Sequence, residues 1–368
     1  MNRRINKSII SLCRTVLALT FIFSGTVKSV DPWGTALKID EYLSMYGLDG
    51  LKTWSMAFSI WLCGAELMMG LMLLFKVRIR LVSIFALASM LFFTVLTFLS
   101  ATWLPVEDCG CFGDAVKLTA WQTFAKNAVL LPMAFVVWRH YRPDAVFAFK
   151  RIEIVLTVLF FILSMGVGVY SYRHLPLIDF MPYRVGVNIE QAMQHNDEQT
   201  DAVPETVLVY RNIATGELQK FSIDDTEWQD DTKWEWVDTY TTEELPAIGP
   251  SVSEFAVRDA EGDATMDILH HGGRVYMLCI TDIGTIGDAC RTRMTRTAAH
   301  ARQEGALCIV LTAKPLREVT YYDFGDEQVR AYNIDASTLK TMLRAREGLV
   351  VLDEGTIAEK KNCRDIKY

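Results

Sequence analysis

The sequence lacks the surplus of basic residues that binding to nucleic acid requires. Lys and Arg number 37 against 44 Asp and Glu, which gives a formal net charge of -7. A nucleic-acid site needs a basic surface, so we expect no nucleic acid among the partners. The sequence also lacks an A-x-A-like cleavage site after its first apolar run, which favours a retained membrane span over a cleaved signal peptide.

A C-x-x-C motif is absent as well, although the chain contains eight cysteines. The closest pair of thiols is Cys109 and Cys111, which flank Gly110 in the segment Cys109-Gly-Cys-Phe-Gly-Asp114. A disulfide across one residue is strained and therefore easily reduced, and glycine between the thiols favours its closure. The pair predicts thiol redox chemistry, with metal binding as the alternative.

Apolar residues are abundant, at 51% of the chain with a mean hydropathy of +0.18. A membrane-spanning helix needs about 20 consecutive, mainly apolar residues. Five segments meet this requirement: Ile9–Val30, Trp54–Phe75, Leu81–Leu104, Ala120–Trp138 and Ile152–Tyr172. The sequence therefore predicts a multi-pass membrane protein whose direct environment is the lipid bilayer.

The distribution of basic residues predicts the orientation of these spans. Alternate connecting segments are rich in Lys and Arg, which the positive-inside rule assigns to the cytoplasm. They contain Arg3, Arg4 and Lys7, then Lys76, Arg78 and Arg80, then Arg139, Arg142, Lys150 and Arg151. We expect a plasma (inner) membrane protein with a cytoplasmic N-terminus. Its CGC segment and the chain after Tyr172 then lie outside, in the periplasm if there are two membranes, where disulfides form.

The composition beyond His174 is that of a water-soluble domain. Predicted strands Arg274–Thr281 and Ala306–Thr312 flank a predicted helix, Asp288–Gln303. Ser253–Arg258 also has the pattern of a strand. The remaining predictions are a hairpin of Thr206–Tyr210 with Leu218–Ile223, a helix at Leu339–Arg346, and a hairpin of Leu349–Leu352 with Thr356–Glu359. This alternation favours an α/β domain with a mixed sheet.

The order of these elements resembles the thioredoxin fold of membrane-tethered, peroxiredoxin-like proteins. Phe255-Ala-Val-Arg-Asp-Ala-Glu-Gly262 looks like their opening segment, and Leu349-Val-Val-Leu-Asp-Glu-Gly-Thr-Ile357 looks like their final hairpin. The resemblance implies a thioredoxin-like fold from about Ile248 to the C-terminus. However, the loop Asp282–Asp288 has no C-x-x-C, and Gly348 occupies the place of the usual cis-proline.

The other cysteines are assigned by their surroundings. Cys13, Cys63, Cys279 and Cys308 lie in apolar runs, where free cysteine behaves as a small hydrophobic residue. Cys290, at the start of a predicted helix, is either free or paired with Cys363. Spacing alone does not decide between these alternatives.

Three charged residues within the predicted spans are candidate functional residues, because charge is costly inside a membrane. Lys28 and Lys126 lie in the outer halves of their spans, and Glu66 lies near the middle of the second. The two lysines have an alternative role, in which each ammonium reaches the outer membrane surface. Glu66 must be protonated or paired, for example with a lysine, and a purely structural role is its alternative.

These residues together resemble the DoxX/MauE family of redox-associated membrane proteins. The matching pieces are Gly25-x-x-Lys28 followed by Asp31-Pro32, Glu66-x-x-x-Gly70, Cys109-Gly-Cys-Phe-Gly113 and Lys126-Asn127. The resemblance covers about Ile5–Tyr141 and implies a thiol-redox role outside the membrane. Methylamine-utilisation members of the family are implicated in maturing a disulfide-rich periplasmic subunit.

The expected fold class is a four-span α-helical membrane bundle with a fifth tethering span and a C-terminal α/β thioredoxin-like domain. The domain boundaries are 1–145 for the DoxX/MauE-like bundle, 146–175 for the fifth span, 176–247 for a β-rich extracytoplasmic connector, and 248–368 for the thioredoxin-like domain without C-x-x-C.

Three functions are compatible with the sequence. In the first, Cys109 and Cys111 are catalytic in a thiol-disulfide oxidoreductase that passes electrons between an extracytoplasmic client protein and a membrane carrier such as quinone. Its supporting residues are Gly110, Gly113, Lys28, Glu66 and Lys126. In the second, the protein is a non-catalytic assembly factor whose thioredoxin-like domain binds the client. In the third, the two thiols bind a metal, but without a nearby His the ligand set is incomplete, so we expect no metal site.

Overall fold

The computed structural model describes nine stretches of the chain. They are residues 7–102, 110–116, 118–141, 151–200, 206–212, 218–222, 233–241, 255–316 and 318–368. Cys109 lies outside these described residues.

Apolar sequence produces the long helices of the N-terminal half. These helices are α1 (Lys7–Val30), α3 (Ser55–Leu74), α4 (Ile79–Thr102), α5 (Ala120–His140) and α6 (Arg151–Arg173). Their bounds lie within two residues of the predicted spans. Four described segments are long and apolar enough to cross a membrane: Lys7–Val30, Asp49–Leu74, Ile79–Thr102 and Arg151–Arg173. The prediction of several membrane-spanning helices is confirmed by the length and composition of these four.

Helix α5 is the predicted span that is not among these four. It has 21 residues and packs on α4, but it contains Gln122, Lys126 and Asn127, which lower its hydropathy. Its N-terminus is closed by a capping box in which the hydroxyl of Thr119 accepts a hydrogen bond from the backbone of Gln122. That α5 crosses the membrane, which would bring the number of spans to five, therefore stays a prediction.

An additional helix, α2 (Pro32–Met45), lies between α1 and α3 in the chain. Asp31 caps it by accepting a hydrogen bond from the Gly34 backbone, and Pro32 occupies the first helical position, where no backbone donor is needed. With 14 residues it is about 21 Å long, too short to cross a bilayer. It packs against α3 at the same end of the bundle as Lys28.

Helices α1 and α3 approach each other closely because two glycines lie on their shared face. A Cβ atom at Gly70 would lie 2.6 Å from the backbone nitrogen of Ile22. A Cβ atom at Gly25 would overlap the backbone of Leu67. This contact gives a physical reason for the two glycines of the motifs around Lys28 and Glu66.

The C-terminal region contains an eight-stranded mixed sheet. Its strands are β4 (Arg258–Asp259), β5 (Gly262–Asp263), β6 (Arg274–Ile280), β7 (Leu307–Thr312), β8 (Thr320–Phe324), β9 (Glu327–Asn333), β10 (Glu347–Asp353) and β11 (Thr356–Asn362). The order is β11-β10-β6-β7-β9-β4-β5, with β8 paired to β9. Strands β6, β7 and β9 are parallel, whereas β10 and β11 are antiparallel to their neighbours.

Helices cover both faces of this sheet. They are α7 (Ile189–Thr200), α8 (Thr265–Leu269), α9 (Asp288–Glu304) and α10 (Ala336–Leu343). One core contains Leu339 and Met342 of α10 against one face, and the other contains Met294 and Ala298 of α9 against the opposite face. A mixed sheet between helices is therefore confirmed, and its thioredoxin-like identity stays a prediction.

Three details differ from the sequence-based expectations. The predicted helix Leu339–Arg346 is Ala336–Leu343, because the carboxylate of Asp335 caps the Ser337 and Thr338 backbone and Arg344 adopts the left-handed conformation that ends the helix. Of the predicted strand Ser253–Arg258, the described residues begin at Phe255, and only Arg258 belongs to a strand, β4. The hairpin of β8 and β9 was not predicted, because its many polar and charged residues obscure the apolar pattern of a buried strand.

The β-rich connector contains a three-stranded antiparallel sheet of β1 (Thr206–Asn212), β2 (Leu218–Ser222) and β3 (Trp234–Thr241). The order is β2-β1-β3, so the predicted hairpin of the first two strands is confirmed. The turn 214–217 lies outside the described residues.

The cysteines of the C-terminal region divide into a disulfide and two free thiols. Cys290, at the start of α9, is bonded to Cys363 after β11, which resolves the alternative left open by the sequence. Cys279 and Cys308 are free, and burial raises the pKa of each thiol to about 12. These two thiols are therefore protonated and unreactive at neutral pH. Cys13 and Cys63 are buried in the helical region, as expected of packing residues.

Candidate functional site

A buried ion pair lies between α1 and α3. The Nζ atom of Lys28 is 3.0 Å from Oε1 and 3.1 Å from Oε2 of Glu66, and both side chains are only 5% exposed. The ammonium of Lys28 therefore points into the bundle and not to the membrane surface. Within a low-dielectric interior two charges are tolerated when they neutralise each other. Lys28 is therefore the partner that a charged Glu66 needs inside the bundle.

Ser24 connects the ion pair to the CGC segment. Its hydroxyl lies 2.8 Å from Oε2 of Glu66 and 2.7 Å from the carbonyl oxygen of Cys111. Both neighbours are hydrogen-bond acceptors, and a serine hydroxyl has one proton to donate. The hydroxyl can therefore donate to one of the two at a time, and it brings the Cys111 backbone close to the carboxylate of Glu66.

Cys111 borders a small, partly open cavity next to the ion pair. This cavity of about 30 Å³ is large enough for a water-sized group and no more. Its walls include the side chains of Ser24, Lys28, Glu66, Cys111 and Asn127. The Cys111 thiol is partly exposed and free. Its predicted partner Cys109 lies outside the described residues, so the structure does not describe the thiol pair itself.

The glycines of the CGC segment adopt conformations that favour glycine. Gly110 has φ +61° and Gly113 has φ +54°, both in the left-handed region. A Cβ atom at Gly113 would lie 3.3 Å from Val27, and one at Gly110 would lie 3.3 Å from Lys38. The segment therefore packs closely on the end of α1 and on α2.

Lys126 is the third charged residue predicted from the spans. Its Nζ atom lies 4.2 Å from the centre of the Phe112 ring, a cation–π contact with the residue next to Cys111. The adjacent Asn127 donates hydrogen bonds to the Thr97 hydroxyl and the Phe93 carbonyl, both at 3.4 Å. Helix α5 thus contributes to the same site as α1 and α3.

A larger cavity lies between α2 and α4 on the other side of Lys28 and Cys111. Its volume is about 290 Å³. Lys28, Phe93 and Cys111 line both cavities. The remaining walls are mainly apolar and aromatic, with Tyr42, Tyr46, Phe92, Leu96 and Thr97 among them.

The C-terminal region is joined to this end of the bundle by a second buried ion pair. The Nε atom of Arg344 lies 3.1 Å from Oδ2 of Asp31, with side-chain exposures of 1% and 5%. A third cavity, of about 240 Å³, is enclosed there by Trp33 and Lys52 on one side and by Asp282 and Arg346 on the other. The loop Asp282–Asp288 therefore begins at the contact with the helices.

The structure brings most of the predicted site residues together. Lys28, Glu66, Lys126, Gly110, Gly113 and Cys111 are all within one region at one end of the bundle. Sequence reasoning missed Ser24 and Thr97, because a hydroxyl in an apolar helix commonly bonds its own backbone. It also missed the pairing of Asp31 with Arg344, since residues so far apart in the chain give no local signal.

No group of three or more His, Cys, Asp and Glu side chains within the described ranges is arranged to hold a metal ion. Among those residues, Cys111 has Glu66 nearby as its one acidic neighbour in the small cavity.

Comparison with known proteins finds a similarity in the N-terminal part of the chain. Residues 6–140 match the family model of the methylamine utilisation protein MauE. This match supports a MauE-type membrane protein and leaves residues 141–368 without a family assignment. No curated protein and no solved structure matches the chain.

Proposed function

We propose that Cys109 and Cys111 alternate between dithiol and disulfide to support the maturation of disulfide-containing proteins of the cell envelope. The observation that carries this proposal is the position of Cys111 beside the buried Lys28–Glu66 pair. Charge in the membrane interior is costly and is retained mainly where it serves a function. The Cys111 thiol next to this pair is partly exposed, so the sulfur of a client can reach it.

The chemical step is a thiol-disulfide exchange. A client thiolate attacks one sulfur of the Cys109–Cys111 disulfide, forms a mixed disulfide and releases the other cysteine as a thiolate. The second client thiolate then attacks the mixed disulfide and releases the remaining cysteine. The client gains a disulfide, and its two electrons reside on the reduced pair.

The proposed orientation has the CGC segment and the C-terminal region outside the cytoplasmic (inner) membrane, and in the periplasm if the cell has two membranes. The Cys290–Cys363 disulfide supports it, because disulfides persist in oxidising compartments. Both Cys111 and Arg344 lie at the end of the bundle marked by Lys28 and Asp31. The match to the MauE model supports a role of the methylamine-utilisation type.

The alternative is a non-catalytic assembly factor whose thioredoxin-like domain binds the client. Its specific support is the state of the C-terminal cysteines. Cys290 and Cys363 form a buried disulfide, while the Cys279 and Cys308 thiols have pKa values raised to about 12 by burial. The described part of that domain therefore contains no reactive thiol pair.

A mixed-disulfide experiment distinguishes the two functions. The full-length protein, purified in lipid nanodiscs and oxidised, is incubated with a fluorescent peptide that contains one cysteine. We expect a covalent, reductant-sensitive adduct that is lost in Cys109→Ser/Cys111→Ser and retained in the matched control Cys308→Ser. Adduct formation that survives the double substitution, or that never occurs on the wild type, would reject the redox function.

A further inference from the structure

We propose that the 290 Å³ cavity between α2 and α4 binds the ring of a membrane quinone, which reoxidises the cysteine pair. This inference rests on the proposed function, because the reduced pair needs an acceptor of two electrons before it can act again. The two thiols lose two electrons and two protons and form one disulfide. The quinone gains both, one proton on each carbonyl oxygen, and becomes a quinol.

The walls of the cavity suit a flat, mainly apolar ring. Tyr42 of α2, Tyr46 directly after α2, and Phe92 and Phe93 of α4 contribute aromatic side chains. Aromatic rings pack favourably against one another in stacked or edge-to-face geometry. Pockets for small ligands begin at about 300 Å³, so this volume fits a ring and not the long isoprenoid tail.

Polar groups also line the cavity, and two of them, Lys28 and Cys111, lie at the end that borders the smaller cavity. A quinone oxygen at that end would develop negative charge beside the Lys28 ammonium. Lys28 lines the cavity, and its Nζ atom lies 5.8 Å from the centre of the Phe93 ring. Preorganised cationic groups stabilise charge that develops during a reaction. Cys111 lines the same end, so a ring in this cavity lies next to the thiol that reduces it.

The outer end of the cavity is formed by residues on the surface of the bundle. Phe92 is 61% exposed and Tyr46 is 53% exposed. In a membrane protein an exposed apolar side chain on a spanning helix faces lipid. An isoprenoid tail can therefore leave the cavity between α2 and α4 and enter the bilayer, which is the environment in which quinones dissolve.

Photo-crosslinking tests this site without requiring turnover. The full-length protein in nanodiscs is irradiated with an azido-ubiquinone of short tail, and the labelled peptides are identified by mass spectrometry. We expect labels on α2 and α4 that decylubiquinone suppresses and dodecane does not. Leu96→Trp, which fills the cavity, should weaken labelling at least tenfold, while Leu91→Trp on the 55% exposed surface of α4 should leave it unchanged.

The outcomes separate this proposal from the proposed function. Labelling should persist in Cys109→Ser/Cys111→Ser, because binding does not need the thiols. Suppression by dodecane as effective as by decylubiquinone would identify a general lipid site and overturn the quinone site. If no labelling occurs while the peptide adduct still forms, the quinone site is wrong and the thiol exchange stands. If labelling occurs but no peptide adduct forms, the quinone site stands and the thiol exchange is wrong.

Discussion

The Nε atom of Arg344 lies 3.1 Å from the carboxylate of Asp31, so the C-terminal sheet region is ion-paired to the residue that follows the first long helix. Asp31 also caps α2, and Arg344 ends α10 in a left-handed conformation. The pair therefore joins two helix ends from opposite halves of the chain. Both side chains of this pair are buried.

Loss of either partner should destabilise the protein and loosen the C-terminal region. Arg344→Met leaves the Asp31 carboxylate buried without its cation, and breaking a buried pair costs about 3–5 kcal/mol. The measurement is thermal unfolding in nanodiscs together with limited proteolysis after residue 241. Arg274→Met is the matched control, since its pair with Asp353 is half-exposed and should matter little. Equal effects of the two substitutions would show that the Asp31 contact does not hold the region in place.

The Lys28–Glu66 pair should behave as a coupled unit. Lys28→Met or Glu66→Gln alone leaves one charge buried, so each should lower stability by about 3–5 kcal/mol. The combination Lys28→Met/Glu66→Gln removes both charges and should cost less than the sum of the single changes. Unfolding in nanodiscs gives the double-mutant cycle. Strictly additive effects would mean that the two side chains do not interact.

The close approach of α1 and α3 should not tolerate a methyl group at its centre. Gly70→Ala places a Cβ atom 2.6 Å from the Ile22 backbone, and rigid backbone cannot move aside without separating the helices. We expect a lower unfolding temperature, because the two helices must separate to make room for the methyl group. Gly166→Ala on α6 has no atom within 4 Å of the new methyl group and is the control. An unchanged unfolding temperature in Gly70→Ala would contradict the close packing of α1 on α3.

Thiol reactivity should distinguish the cysteines in the native protein. Burial raises the pKa of Cys279 and Cys308 to about 12, so at pH 8 only about one molecule in ten thousand has the reactive thiolate. Cys111 is partly exposed and should react with iodoacetamide much faster. Mass spectrometry of each labelled peptide measures this order. Labelling of Cys279 at the rate of Cys111 would exclude the buried core position.

The sequence predicted elements whose signal is local. Apolar runs located five long helices to within two residues, because length and hydropathy are properties of the segment itself. The cost of charge in a membrane made Lys28 and Glu66 candidate functional residues. The same cost required Glu66 to be protonated or paired, for example with a lysine. Helix α2 was missed because its 14 residues lack the length and uniform hydropathy of a span.

Other features depend on contacts between distant parts of the chain. The Arg344–Asp31 pair and the role of Ser24 required knowing which helices meet. The Cys290–Cys363 pairing could not be chosen from spacing, because eight cysteines allow many connectivities. The helix α10 began earlier than predicted since its capping residue Asp335 precedes the apolar periodicity.

The central claim is that Cys109 and Cys111 change redox state together. The direct measurement is acid quenching of intact cells followed by alkylation with a heavy maleimide, so that mass reports the free thiols of the full-length protein. In intact cells we expect a mixture of the dithiol and the Cys109–Cys111 disulfide. In membranes isolated from the same cells and quenched in the same way, we expect this mixture to shift to the dithiol when a reduced dithiol peptide is added. A pair that stays fully reduced or fully oxidised under both conditions would contradict the account.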